Sequence, residues 1–180
     1  RYIRIIRSLY LLPIGVALPI ATVVWGLMLD PYQGLANGFI GLFGIPPQPF
    51  LISEHQALWS IIAIATWKGV AFWMLFLLAG MEDIPTQYYE AAKIDGARPF
   101  EKFRFITLPL LKRTILFVFV ADTATNFVLM VPMIILTKGG PMQSTNVLAF
   151  EAYRSGFYYQ DWGRSLSIIS ILTIISLVVI

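Results

Sequence analysis

Long apolar runs separated by short polar segments dominate the sequence. Three of the runs are long enough to cross about 30 Å of hydrocarbon at about 1.5 Å per residue, and they cover residues 8–29, 57–81 and 110–136. A fourth run, residues 165–180, is cut off before it reaches that length. Backbone polar groups in a bilayer must be satisfied within their own segment, so the runs predict helices. We expect Pro13, Pro19 and Pro132 to kink these helices.

The composition agrees with a chain that lies mostly in lipid. Of its 180 residues, 58% are hydrophobic and 13% are charged, whereas soluble domains carry about 25% charged residues. The mean hydropathy is +0.75 and cysteine is absent, which argues against a disordered chain, a disulfide scaffold and a nucleic-acid-binding module. The predicted fold class is all-α, a polytopic helical membrane protein. The chain begins without Met and stops inside an apolar run, so we expect it to be part of a longer polypeptide.

Basic residues are distributed unequally between the two sides of the predicted membrane. Nine fall on one side: Arg1, Arg4, Arg7, Lys93, Arg98, Lys102, Arg104, Lys112 and Arg113. Three fall on the other: Lys138, Arg154 and Arg164. Because cytoplasmic loops are enriched in Lys and Arg, the loop of residues 82–109 is predicted to face the cytoplasm. On the other side, residues 30–56 predict a short interfacial helix and a turn, and Gly139-Gly140-Pro141 predicts a turn.

The cytoplasmic loop reads as two short helices joined at a glycine. Pro85 suits a first helical turn, and the residues after it favour a helix. Gly96 stands where a helix would end in the left-handed conformation. A second amphipathic helix is predicted to begin near Pro99 and to end at Pro109. The loop is therefore expected to form an angled pair of helices on the membrane surface.

The spacing within this loop carries a family resemblance. The loop contains Glu90-Ala91-Ala92, followed after three residues by Gly96. Nine residues later comes Ile106, and one residue after that comes Leu108-Pro109, with no gap in the pattern. This run resembles the full EAA signature of the permease subunits of binding-protein-dependent ABC importers. The flanking sequences are similar to the carbohydrate-uptake branch, and most similar to its maltose-, glycerol-phosphate- and lactose-type first subunits. The resemblance implies one transmembrane permease domain over residues 1–180, lacking N-terminal helices and with its last helix truncated, in which residues 82–109 form the coupling loop.

The resemblance also implies the partners of the chain. In such importers the loop is a pair of coupling helices seated in a cleft of a cytoplasmic ATPase subunit. The residues expected to take part here are Glu90, Ala91, Ala92, Gly96, Ile106, Leu108 and Pro109. The resemblance further implies a second homologous permease subunit, two cytoplasmic ABC ATPase subunits, an extracytoplasmic solute-binding protein and the lipid of the cell membrane. The sequence has no GxxxxGK[ST] phosphate-binding motif, so the chain is not expected to be an enzyme or to need a cofactor. The alternative is that the loop only anchors to lipid headgroups.

Two charged residues fall near the middle of predicted helices. Lys68 and Asp122 lie at comparable depth on antiparallel runs, and an ionised side chain there costs at least about 2.5–3.5 kcal/mol unless it faces a partner or water. We expect both to face one interior space, paired directly or through water. The alternative is a purely structural pair that bridges two helices.

Polar and aromatic residues accompany both charges. Asp122, Thr125, Asn126 and Leu129 share one helix face, and Lys68, Gly69 and Phe72 lie together with Trp67 and Trp73 nearby. Polar groups beside aromatic rings suit a weak sugar site, so these residues predict the substrate pathway. The Asp122–Leu129 stripe resembles sugar-contacting positions of the maltose-type subunit, with Asn126 identical and Asp122, Thr125 and Leu129 different. On the other helix Gly69 is identical, and Lys68 and Phe72 are substitutions. The alternative is that Thr and Asn only bond neighbouring helices.

The predicted function is therefore the permease subunit of an ATP-driven importer of a sugar or related polyhydroxylated solute, working by alternating access. Three alternatives stay open: a secondary transporter or channel that uses Lys68 and Asp122 as an ion relay, an integral membrane enzyme, and an ABC permease for a non-sugar solute such as a polyamine or phosphonate. His55 is predicted to be a solvated loop residue. No group of residues has metal-ligand or catalytic-triad spacing.

Overall fold

The computed structural model describes residues 10–180, and every regular element within them is helical. The α-helices of four or more residues are α1 (Leu18–Met28), α2 (Leu35–Gly41), α3 (Ala57–Glu82), α4 (Thr86–Ile94), α5 (Pro99–Lys102), α6 (Lys112–Phe127), α7 (Leu148–Tyr153) and α8 (Trp162–Val179), and a further α-helical turn covers Leu108–Leu110. 3₁₀ turns cover Leu12–Gly15 and Phe50–Ile52, and π-helical turns cover Phe103–Thr107, Met133–Thr137 and Arg154–Tyr158. The all-α prediction is confirmed. Arg1, Arg4 and Arg7 lie outside the described residues.

Two of the predicted spans are single long helices. Within residues 10–180, α3 and α8 are the helices long and apolar enough to cross a membrane. They correspond to the predicted runs 57–81 and 165–180. Most of the surface of each helix is exposed in the isolated chain, which leaves it open to lipid or to other membrane helices.

The first predicted span is not a continuous helix, and in this respect the prediction was wrong. A 3₁₀ turn at Leu12–Gly15 ends at extended Val16, and α1 starts only at Leu18. Pro13 and Pro19 have no backbone N–H, and each occupies the first turn of its own short helix, a position that tolerates proline. The two prolines therefore divide the run into two helices, where we had expected a kinked single one.

The third predicted span, residues 110–136, is also divided. Helix α6 ends at Phe127, so its 16 residues rise only about 24 Å. Residues 128–130 are not helical, and Pro132 then precedes the π-helical turn Met133–Thr137. A proline both lacks a donor and clashes with the carbonyl four residues earlier, which accounts for the helix ending at this point.

The helices pack around two contact regions. Helix α3 crosses α6 closely at Gly80, where an added Cβ would lie 2.7 Å from Thr114 Oγ1 and 2.9 Å from Leu111 Cδ1. Farther along the same helix, buried Ile61 packs with Met133 and Phe150. Helix α8 packs against α7. Together these contacts hold α3 against α6 and α7, and the cavity described below lies between α3 and α6.

The connections 30–56 and 138–163 are held by local hydrogen bonds. The predicted short helix of the first is α2, and the Asn37 side chain exchanges hydrogen bonds with the backbone of Gln48. The predicted Gly-Gly-Pro turn of the second is present, with Gly139 at φ +86°. Fully buried Thr145 lies inside this turn, bonded to Thr137 Oγ1 and to the carbonyl of Gly140.

Candidate functional site

Residues 86–110, here called the elbow, form two helices that meet at Gly96. Helix α4 ends in a Schellman motif, in which the Ala97 N–H donates to the Ala92 carbonyl (2.9 Å) and the Gly96 N–H donates to the Lys93 carbonyl (3.2 Å). Gly96 has φ +75°, and a Cβ there would meet nothing within 4 Å. Glycine is therefore favoured by the backbone conformation and not by lack of space. The predicted hinge is confirmed.

The second half of the elbow begins as predicted at Pro99 and ends at Leu110, one residue after the predicted end at Pro109. The Arg98 N–H donates to Glu101 Oε2 (2.6 Å) at the start of α5. Pro109 has no backbone N–H, and the wider π-helical turn Phe103–Thr107 just before it accommodates that loss. A turn at Leu111 then separates the elbow from α6, as predicted.

One internal hydrogen bond ties the two halves of the elbow together. The Tyr89 hydroxyl lies 2.9 Å from Thr107 Oγ1, and Thr107 is buried. This bond links α4 to the far end of the elbow, so the angle at Gly96 is fixed from both sides.

The outer surface of the elbow is apolar and exposed. Ile94 is 87% exposed, and Phe100, Phe103 and Phe105 are exposed as well. Among the EAA positions, Glu90, Ala91, Gly96, Leu108 and Pro109 are exposed, and Ala92 and Ile106 are half-buried. Within residues 10–180 the Glu90 carboxylate makes no hydrogen bond or ion pair. The elbow thus presents unpaired apolar and acidic groups and is not buried against its own helices.

A cavity of about 460 Å³ lies between α3, α6 and the chain just before α1. It brings together all seven residues predicted for the substrate pathway: Lys68, Gly69, Phe72, Asp122, Thr125, Asn126 and Leu129. Ile14, Leu18, Ala65 and Trp73 complete its lining. The structure thus places Lys68 and Asp122 at one interior space.

Lys68 and Asp122 do not pair directly. The Lys68 ammonium donates to the carbonyls of Pro13, Ile14 (3.2 Å) and Val16 (2.5 Å) at the break before α1, and the Pro13 carbonyl also accepts the Val16 N–H (3.3 Å). An ammonium has three donors, so these three carbonyls saturate it. This role of Lys68 was not predictable, because the break itself was not predicted.

Asp122 is held by side chains other than Lys68, namely those of Trp73 on α3 and Asn126 on α6. Its Oδ1 accepts hydrogen bonds from Trp73 Nε1 (2.5 Å) and from Asn126 Nδ2 (3.0 Å). The second amide hydrogen of Asn126 reaches the Asp122 carbonyl (2.8 Å). Trp73 therefore orients the carboxylate across the α3–α6 contact.

The two tryptophans expected beside the cavity differ in position. Trp73 lines it, with Phe72 at 4.9 Å between ring centroids. Trp67 instead packs edge-on against Trp25 of α1 at 5.5 Å and is absent from the cavity lining. Trp67, which lies near Lys68 in sequence, thus faces α1 and not the cavity.

An ion cluster joins α7 to the start of α8, away from the cavity. The half-buried Glu151 carboxylate accepts from Arg154 (2.5 Å), Arg164 (2.6 Å) and Asn146 (2.8 Å). Burial raises the pKa of Glu151, but the Asn146 hydrogen bond and the two arginine charges outweigh burial, and the pKa lies below its ordinary value. His55 has a side chain that is 86% exposed, as expected for a loop residue.

Comparison with known proteins identifies the family. The profile of the family described as binding-protein-dependent transport system inner membrane component matches residues 2–180. The trehalose/maltose transport system permease protein MalF of Thermococcus litoralis is 34% identical over 98% of this chain and 60% of its own length. The sn-glycerol-3-phosphate transport system permease protein UgpA of Pectobacterium atrosepticum is 35% identical over 98% of this chain and 61% of its own length. The chain thus spans about three-fifths of the length of these relatives.

Solved structures share the fold. One is the crystal structure of a bacterial ABC transporter involved in the import of the acidic polysaccharide alginate. It superposes with a TM-score of 0.85 at 22% identity, over 98% of this chain and 62% of that one. A second, the alginate transporter in complex with its pentasaccharide-bound periplasmic protein, gives 0.88 at 22% identity over the same shares. The chain belongs to the family of binding-protein-dependent transport system inner membrane components.

Proposed function

We propose that this chain is the pathway-forming part of a permease subunit in an ATP-driven importer of a sugar or related polyhydroxylated solute. The solute would pass the cavity between α3 and α6 by alternating access. ATP would be hydrolysed by separate ATPase subunits and not by this chain. Similarity to trehalose/maltose and glycerol-phosphate permeases supports the solute class.

The observation that carries the proposal is the exposed elbow. Its hinge at Gly96 is fixed by the Schellman motif, its halves are tied by Tyr89 and Thr107, and its apolar side chains project outward. A rigid projection with an apolar surface suits insertion into a cleft on another protein. The free carboxylate of Glu90 offers a pairing group to a basic residue of that protein.

The proposed importer also needs a second permease, two ATPase subunits and a solute-binding protein. A second homologous permease would cover exposed apolar helix surface and close the pathway, two ATPase subunits would hold the elbows, and a solute-binding protein would dock on the opposite side. The basic residues of the elbow support its cytoplasmic placement in the cell membrane. The alginate importer solved with its periplasmic protein is a precedent for the binding-protein partner.

The cavity does not favour the ion-relay alternative. Lys68 is fully engaged with three carbonyls, and within the described residues it forms no ion pair with Asp122. A relay requires a group that exchanges protons or ions with its neighbours, whereas Lys68 is needed to satisfy a broken helix.

The test uses the full-length chain assembled with its partner subunits in proteoliposomes. Glu90→Lys and Gly96→Pro are each expected to lower ATP-driven uptake at least about tenfold, since they introduce a repulsive charge or disrupt the hinge at the docking surface. Glu54→Lys, an exposed charge reversal outside the elbow, is the matched control and keeps normal uptake. Normal uptake by either elbow variant would overturn the coupling role.

A further inference from the structure

The hydrogen-bond donors that line the cavity are already used by the protein. Lys68 gives its three hydrogens to backbone carbonyls. The Trp73 indole N–H and one Asn126 hydrogen go to Asp122 Oδ1, and the other Asn126 hydrogen goes to the Asp122 carbonyl. The Thr125 hydroxyl is directed at the carbonyls of Ala121 and Asp122. No donor of these four side chains is left for a solute.

Acceptors, in contrast, remain open. Among the residues that the structure describes, Asp122 Oδ2 and the Asn126 side-chain oxygen have no hydrogen-bond partner. Both residues line the cavity. An adjoining cavity of about 430 Å³ shares Asp122 and Asn126 and adds the hydroxyls of Tyr10 and Thr66, which can donate or accept. The space is thus dominated by acceptors, with no charged donor free.

We infer that the cavity selects a neutral polyhydroxylated solute and rejects an anionic one, and that Asp122 is the residue that sets this specificity. The inference rests on the proposed function. A sugar hydroxyl can donate to Asp122 Oδ2, while an anionic group would lose its water, find no free charged donor and meet a like charge. For a cationic solute the fixed positive charge of Lys68 opposes the attraction of Asp122, whereas for an anion Lys68 has no donor left to bind it, so the cavity favours a neutral molecule.

This distinction separates relatives whose names imply different solutes. Trehalose and maltose are neutral, whereas sn-glycerol 3-phosphate and alginate are anionic, and permeases named for each resemble this chain. Overall similarity therefore does not choose between the two classes. The arrangement of donors and acceptors around Asp122 is what favours the neutral class.

Binding to the full-length permease complex in lipid nanodiscs, without a binding protein, tests the inference. The probes are trehalose, maltose, sn-glycerol 3-phosphate and putrescine, and binding is read from tryptophan fluorescence and from the shift in Tm. The wild type should bind a neutral disaccharide more tightly than the phosphate or the amine. Asp122→Asn should raise the ratio of phosphate to disaccharide affinity at least about tenfold, since it removes the like charge and supplies a donor.

Two further variants keep the result interpretable. Glu54→Gln also removes an exposed carboxylate, outside the cavity lining, and should leave the ratio unchanged. Trp73→Phe keeps the Asp122 charge and should still reject the phosphate. Preferential binding of the phosphate or of putrescine by the wild type, an unchanged ratio in Asp122→Asn, or binding of no probe would each overturn the inference. ATP-driven uptake, measured separately, reports on the proposed function, so the two can fail independently.

Discussion

At the scale of single residues, Lys68 shows how a charge can be stable inside an apolar bundle without a counter-ion. The carbonyls of Pro13, Ile14 and Val16 at the break before α1 carry partial negative charges, and the ammonium donates a hydrogen bond to each. Each group satisfies the other, which is the condition that a lipid environment imposes on any broken helix. The lysine therefore belongs to the fold as well as to the cavity lining.

Replacing Lys68 by methionine should therefore destabilise the protein. The change removes the lysine donor from the part-buried carbonyls of Pro13 and Val16, at an expected cost of about 1–3 kcal/mol. The fall in Tm of the assembled complex in detergent measures this loss. Lys138→Met, which removes an exposed lysine, is the control. Equal Tm values for the two variants would show that Lys68 does not hold the break together.

Glu151 gives the ion cluster a defined dependence on pH. Because its pKa in the folded chain is lower than its ordinary value of 4.5, its stabilising contribution is complete above that value and is lost as the pH falls through the lowered pKa. Hydrogen exchange of residues 146–164 should therefore accelerate over that acidic range. Glu151→Gln should exchange faster at neutral pH and lose this pH-dependent component. A wild-type profile that stays flat under acid would contradict the assignment.

At the scale of elements, the sequence predicted which segments are helical better than where they stop. The runs at α3 and α8 and the hinge at Gly96 were predictable, because uninterrupted apolar length and a helix-terminating glycine are local signals. The breaks before α1 and after α6 were not, because a proline in a membrane run can either kink or end a helix. The outcome depends on whether a distant side chain such as Lys68 satisfies the freed carbonyls.

The same limit applied to the candidate site. Periodicity placed the seven residues predicted for the substrate pathway on faces that meet at one cavity. Periodicity did not predict that Trp73 orients Asp122 or that Trp67 packs against Trp25, since both contacts depend on which helix lies against each side of α3.

Two glycines on α3 should respond differently to the same substitution. At Gly80 an added Cβ lies 2.7 Å from Thr114 Oγ1, so Gly80→Ala should push α3 away from α6 at a cost of about 1–3 kcal/mol. At Gly69 the nearest atom is Asp122 Oδ1 at 3.7 Å, an ordinary contact, so Gly69→Ala should be neutral or stabilising by up to about 1 kcal/mol. Thermal unfolding in one detergent compares them, and a more damaging Gly69→Ala would contradict the packing described.

At the scale of the whole molecule, much apolar surface is left uncovered within the described residues. Helices α3 and α8 bury little of their surface there, and the elbow presents exposed apolar side chains. The architecture thus combines helices open to lipid or other membrane helices, a cavity beside them and a projecting apolar surface, to which we propose that an ATPase subunit binds. Motion of the elbow would reach the cavity through α3 and α6, the helices that flank it in sequence.

The elbow is proposed to dock on an ATPase subunit, and site-specific cross-linking detects that contact. The 180 residues contain no cysteine, so single cysteines can be introduced at Ile94 on the elbow, 87% exposed, and at Met142 in the connection 138–163, 85% exposed. In the full assembled complex, Ile94→Cys should cross-link to the ATPase subunit and Met142→Cys should not. Cross-linking of the ATPase at residue 142, or its absence at residue 94 in a complex that still hydrolyses ATP in response to solute, would contradict the account.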